Sequence, residues 1–205
     1  LFLTLGAVSA LWLTLLSGWP LLFFSGLSVL LMLGSFLPPV RYGMRGWGLG
    51  ETGIAIAFGV LPFLAGYYLL AGSSLAALPL ASVLPLVVLT FLIIFTNNLG
   101  AWRRDWRMGK RTLAVQLGAP RAFDLAGGLT WGAYLALLLV TILSRLPLWS
   151  LIGLGTLPLA LGTYAEMRRD ELRPEDGYRL RDTAAKATIW TGFLLCVALW
   201  ISRVS

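Results

Sequence analysis

Histidine is absent from this 205-residue chain, and cysteine occurs once, as Cys196. An intramolecular disulfide is therefore excluded, and the usual Cys/His zinc sites and histidine-ligated haem have no ligands. Charge is scarce as well. Only 12% of residues are Asp, Glu, Lys or Arg, against about 25% in soluble domains. No ionisable side chain falls at the centre of an apolar run. Ion pathways and proton relays are built from such residues, which disfavours a coupled transporter. The short alternating segments of a membrane β-barrel are also missing. The chain begins at Leu1, already inside an apolar run, with no initiator Met and no basic segment before it. It reads as the later part of a longer protein rather than as a chain opening on a signal peptide.

What remains is predominantly apolar: 58% hydrophobic residues, with a mean hydropathy of +0.83. Seven apolar segments, 1–17, 20–37, 54–71, 78–96, 124–143, 147–165 and 187–202, each approach the roughly 20 residues that cross a bilayer core as helix. The expectation is an all-α, polytopic integral membrane bundle, folded as one domain over 1–205. Cations are distributed unevenly. The intervening stretches 38–53, 97–123 and 166–186 hold 2, 6 and 6 Lys and Arg residues, leaving only Arg145 and Arg203 for the other side. The positive-inside rule places those three stretches in the cytoplasm, at the plasma (inner) membrane. A net charge of +7 concentrated on one side suits anionic headgroups or phosphates, and nucleic acid is not an expected partner.

The densest polar stretch runs from Asn97 to Gly118, NNLGAWRRDWRMGKRTLAVQLG. It sets Arg103, Arg104, Arg107, Lys110 and Arg111 around one carboxylate, Asp105. Unpaired charge of this density is too costly to bury, so the cluster faces water, headgroups or an anionic ligand. It serves either to fix topology or to bind an anion. Helical continuation would put Asn97, Ala101 and Asp105 on one face, and Arg104 and Arg111, seven apart, on another. One carboxylate among several cations also suits a phosphate-bound Mg²⁺, which takes one or two protein carboxylates and completes its shell with water and phosphate oxygens. The first basic stretch, PPVRYGMRGWGLGE over 38–51, places Arg41 and Arg45 within reach of a common phosphate. On its own it reads as a flexible turn, with Glu51 opening the next helix. The third stretch, 166–186, mixes Arg168, Arg169, Arg173, Arg179 and Arg181 with six acidic residues and reads as a solvated amphipathic stretch with internal salt bridges. Tyr67 and Tyr68 read as interface anchors.

The central stretch resembles the second aspartate-rich region of the UbiA-type membrane prenyltransferases, in particular their menaquinone-pathway (1,4-dihydroxy-2-naphthoate) branch. That pattern runs approximately N-N-x-x-D-x-x-x-D-x-x-x-G-K-x-T-L-A-x-x-L-G. Asn97, Asn98, Asp105, Gly109, Lys110, Thr112, Leu113, Ala114, Leu117 and Gly118 match it. The Pro-Pro, Arg and Gly-Glu loop upstream resembles the same branch, and so does the order of the helices. The resemblance implies about seven of nine transmembrane helices and transfer of an isoprenoid chain from a prenyl diphosphate to a lipid-soluble aromatic acceptor. It also implies Mg²⁺ dependence, with Asp105 as metal ligand. Asn97 and Asn98 would orient metal or acceptor, and Lys110, Arg111, Arg41, Arg45 and Arg104 would face the diphosphate. Ala101 departs from the pattern, which has an aspartate there. That departure keeps open a catalytically silent relative that binds isoprenoid lipid or a partner.

Overall fold

The computed structural model describes residues 2–70, 80–143, 146–169 and 176–204. The turn at 72–77, Pro79, Ser144, Arg145 and Arg173 lie outside these, as do the side chains of Arg168, Arg169 and Arg203. Every regular element among the described residues is helical. In chain order they are α1 (Phe2–Ser17), α2 (Pro20–Phe36), a 3₁₀ turn (Tyr42–Met44), α3 (Leu49–Leu70) and α4 (Leu80–Gly100). Two short helices follow, α5 (Trp102–Arg107) and α6 (Leu113–Leu117), and then α7 (Ala119–Ile142). A 3₁₀ segment (Leu148–Thr156) leads into α8 (Leu157–Arg169), and α9 (Asp176–Val204) closes the chain. Five stretches are long and apolar enough to cross a membrane: Leu49–Leu70, Ala81–Gly100, Ala119–Ile142, Leu148–Glu166 and Asp176–Ser202. The two expected N-terminal spans are shorter apolar helices. The protein is an all-helical integral membrane bundle.

α4 is the central column. Leu89, Leu92, Phe95 and Leu99 are buried along it against Ala122, Ala126 and Ala133 of α7 and against Leu180, Ala184 and Ala187 of α9. Lipid tails are as apolar as leucine, so membrane helices associate through close packing, which small residues permit. The closest approach joins α4 to α9. A Cβ placed on Gly177 would lie 2.6 Å from the Gly100 Cα, and one on Gly100 would lie 2.9 Å from the Tyr178 nitrogen. Further along the same bundle, the Thr156 hydroxyl lies 2.7 Å from both the Tyr134 and Thr191 hydroxyls and 2.8 Å from the Gly153 carbonyl. This buried polar node ties α7, the 3₁₀ segment and α9 together.

α2 packs against α3 through Leu21, Phe24 and Leu61, and α1 lies against α2. Tyr68 does not behave as an interface anchor: its side chain is buried and its hydroxyl donates to the Ser17 carbonyl, 2.8 Å away, at the end of α1. α3 carries a π turn over Ile56–Val60. Pro62 follows it and lacks the N–H that would bond the Phe58 carbonyl, a local cause for the departure from α geometry. The third basic stretch is amphipathic and internally paired, Arg179 with Glu166 and Arg181 with Asp182, but part of it is helix rather than loop. Residues 176–186 are the first turns of α9, with Leu180 and Ala184 in the core, because the Gly100–Gly177 contact and those apolar positions give the helix a face to bury.

Candidate functional site at the basic end of the bundle

α4 ends at Gly100, and the chain is re-aimed at Ala101, whose φ and ψ are −95° and 1°. Helical hydrogen bonding nevertheless carries through: Ala101 N–H donates to the Asn97 carbonyl at 3.2 Å, and Asp105 N–H to the Ala101 carbonyl at 2.9 Å. Asn97, Ala101 and Asp105 thus occupy successive turns. α5 stops at Met108, and Gly109, with φ of +69°, supplies the left-handed residue that turns the chain back. Lys110 then meets Asp105 twice. Its backbone N–H donates to the Asp105 carbonyl at 2.9 Å, and its ammonium lies 3.2 Å from Asp105 Oδ2. The Asp105 side chain is 2% exposed and that of Lys110 27%. A carboxylate so buried needs its partner, since an unpaired charge there would cost several kcal/mol (about 3–5). Thr112 caps α6, its hydroxyl accepting from Val115 N–H at 3.4 Å.

The first basic stretch is built onto this region, which makes it more than a flexible turn. The Glu51 side chain is buried, and its Oε1 accepts from Asn98 Nδ2 at 2.8 Å and from Leu113 N–H at 3.2 Å. Arg111 N–H donates to the Met44 carbonyl at 3.2 Å, and Trp47 N–H to Gln116 Oε1 at 2.7 Å. Trp47 has φ of 58° and Arg41 of 39°, backbone conformations that L-residues hold only when surrounding contacts impose them. The Tyr42 hydroxyl donates to the Leu31 carbonyl, and burial pushes its pKa above the usual phenol value. From the other side, Arg181 of α9 donates to Asn97 Oδ1 at 3.2 Å while pairing with Asp182 at 2.7 Å and lying over the Tyr178 ring.

The structure therefore gathers Asn97, Asn98, Asp105 and Lys110 with three residues that sequence reasoning did not assign to the site: Glu51, Gln116 and Arg181. Arg41, Arg45, Arg104 and Arg111 are solvent-exposed on the same two stretches, and Arg45 donates to the Pro39 carbonyl at 3.2 Å. Ala101 is buried at 4% exposure. The Mg²⁺ implied by the resemblance finds one carboxylate here, because Glu51 is committed to Asn98 and Leu113. Among the described residues, no three His, Cys, Asp or Glu side chains converge as a metal cluster. One carboxylate fits the protein's share of an ion held mainly by phosphate oxygens and water. Two larger grooves lie elsewhere: about 840 Å³ among α1, α2 and α3, and about 600 Å³ between α7 and α8 beside Asp124, Trp131 and Tyr164.

A buried Asp105 carboxylate paired with the partly exposed Lys110 thus marks the basic end of a helical membrane bundle. The chain belongs to the UbiA prenyltransferase family, whose model matches residues 1–191. It is 34% identical over 171 residues to the mouse (Mus musculus) UbiA prenyltransferase domain-containing protein 1, covering 80% of this chain and 48% of that protein. It is 27% identical over 159 residues to the 1,4-dihydroxy-2-naphthoate octaprenyltransferase of Escherichia coli K12, covering 76% of this chain and 50% of that one. The Haemophilus influenzae enzyme of the same name is 27% identical over 172 residues, with 74% and 50% covered. The chain spans about half the length of the curated relatives it matches. No solved structure matches it.

Proposed function

We propose that this protein transfers an isoprenoid chain from a prenyl diphosphate to an aromatic, quinone-precursor-like acceptor within the membrane, its basic end facing the cytoplasm. The observation that carries the reading is the buried Asp105–Lys110 pair, set among exposed arginines at the end of an apolar bundle. The substrate has the same polarity, with a polyanionic head on an apolar tail. Lys110 and the Arg41, Arg45, Arg104 and Arg111 guanidinium groups neutralise the diphosphate as the allylic carbon–oxygen bond breaks and charge collects on the leaving group. Residues 1–205 act as one unit, because Glu51 and Arg181 bind both other stretches to the central one. The apolar helices keep water from the allylic cation. A bound Mg²⁺ would add Lewis-acid neutralisation of the leaving diphosphate, with Asp105 as its protein ligand.

Ala101 favours a second reading, a silent relative that binds isoprenoid lipid without turning it over. Prenyl transfer to 1,4-dihydroxy-2-naphthoate, followed against Mg²⁺ concentration in the parent and in Asp105→Asn, separates the two. Mg²⁺-dependent transfer by the parent, lost in Asp105→Asn, is the expected result. Binding of prenyl diphosphate without transfer by either protein supports the silent relative, and full transfer by Asp105→Asn removes Asp105 from the mechanism.

A further inference from the structure

We infer that the adjacent asparagines have opposite, fixed polarities: Asn98 presents a hydrogen-bond acceptor that takes the aromatic substrate's O–H, and Asn97 presents a donor that takes an anionic diphosphate oxygen. The inference deepens the proposed function and rests on it. An amide side chain is ambiguous until its partners decide which end is oxygen. Here both partners are one-sided. Glu51 Oε1 already accepts the Leu113 N–H, and as a carboxylate oxygen it offers Asn98 only a further acceptor site. Asn98 must therefore turn Nδ2 towards it, at 2.8 Å, and Oδ1 away. Arg181 can only donate, so Asn97 turns Oδ1 towards α9 and leaves Nδ2 outward.

Neither outward atom is sealed. Among the described residues, the buried side-chain polar atoms without a partner are Trp102 Nε1 and Ser150 Oγ. An ionised diphosphate offers only acceptor oxygens, which the Asn98 carbonyl repels and the Asn97 amide N–H attracts. The placement agrees, since Asn97 shares its helical face with Ala101 and Asp105, on the side of Lys110, whereas Asn98 turns to α3. Glu51 and Arg181 are the positioning residues of this division.

Binding to the full chain in lipid nanodiscs tests it, with 4-hydroxy-2-naphthoate, whose hydroxyl lies away from its carboxylate, the 4-methoxy analogue and inorganic pyrophosphate as probes, with and without Mg²⁺. The hydroxy compound should bind the parent about tenfold more tightly than the methoxy compound, the worth of one hydrogen bond to a buried acceptor. Asn98→Leu should bring that ratio to about one and leave pyrophosphate affinity in place. Asn97→Asp, which keeps the Arg181 bond but loses the donor, should weaken pyrophosphate and keep the ratio. Glu51→Gln, whose amide oxygen can still accept from both Asn98 and Leu113, should also keep it. A ratio near one in the parent overturns the inference without touching the proposed function. So does a ratio that appears only with Mg²⁺, or an equal loss of pyrophosphate and naphthoate in Asn98→Leu. If that variant does not fold, the parent ratio and Glu51→Gln still decide. Failure of the parent to bind any probe overturns both.

Discussion

Replacing Glu51 tests whether the first and second basic stretches form one structure. Glu51 is 1% exposed, and a single oxygen accepts from both the Asn98 amide and the Leu113 N–H. Glu51→Ala leaves two donors without an acceptor inside the protein. Each orphaned donor costs about 1–3 kcal/mol, so the loss is about 2–6 kcal/mol, less whatever is recovered by no longer burying a carboxyl group. Glu51→Gln retains an amide oxygen for both donors and should stay within about 1 kcal/mol of the parent. At about 2–4 °C per kcal/mol for a chain of this size, the alanine variant should melt on the order of 5–10 °C below the glutamine variant. Thermal unfolding in mild detergent, followed by far-ultraviolet circular dichroism, makes the comparison. Equal melting of the two variants would show that Glu51 does not hold the loops together.

Ala101→Asp adds a carboxylate one helical turn before Asp105, at a position that also caps α5, and should lower the Mg²⁺ concentration needed for prenyl transfer; an unchanged Mg²⁺ dependence would show that the exposed arginines already neutralise the diphosphate. Gly177→Ala drives a methyl group into the α4 backbone, where neither side can yield, and should destabilise the protein by about 1–3 kcal/mol or more, against little effect for Gly128→Ala, which meets open space; equal melting of the two would remove the close crossing. With Cys196 replaced, a cysteine at Trp19 should react with an impermeant thiol reagent added outside intact cells and one at Met108 should not; the reverse pattern would invert the proposed orientation.

The helical bundle was legible because hydropathy and one-sided charge are local properties of the chain. The gathering of cations around Asp105 was legible for a similar reason, but which of the five pairs with it was not, since Lys110 reaches it only because Gly109 turns the chain back. The partners of the asparagines were not legible either. Glu51 lies 47 residues from Asn98, and Arg181 lies 84 from Asn97, and nothing in the sequence around Glu51 separates a buried bridge from a helix-opening carboxylate. The third basic stretch was legible as amphipathic and internally paired, but its docking was not, because the meaning of Gly177, Leu180 and Ala184 depends on α4 lying alongside. Tyr68 was misread for the same reason, its partner being the end of another helix.

The π turn in α3 has a bearing on how this chain tolerates insertion and deletion. It is equivalent to one residue more than a regular helix would hold between Glu51 and Tyr68, two side chains bonded to different neighbours at opposite ends of α3. Removing a single residue from Ile56–Val60 would restore regular winding and leave the two ends in phase, whereas removing one from the regular part of α3 would rotate one end against the other by about 100°. Either Glu51 would leave Asn98 or Tyr68 would leave Ser17. The irregular turn thus absorbs one extra residue without disturbing the angular phase between the two ends of the helix, a phase held by contacts that lie outside the turn.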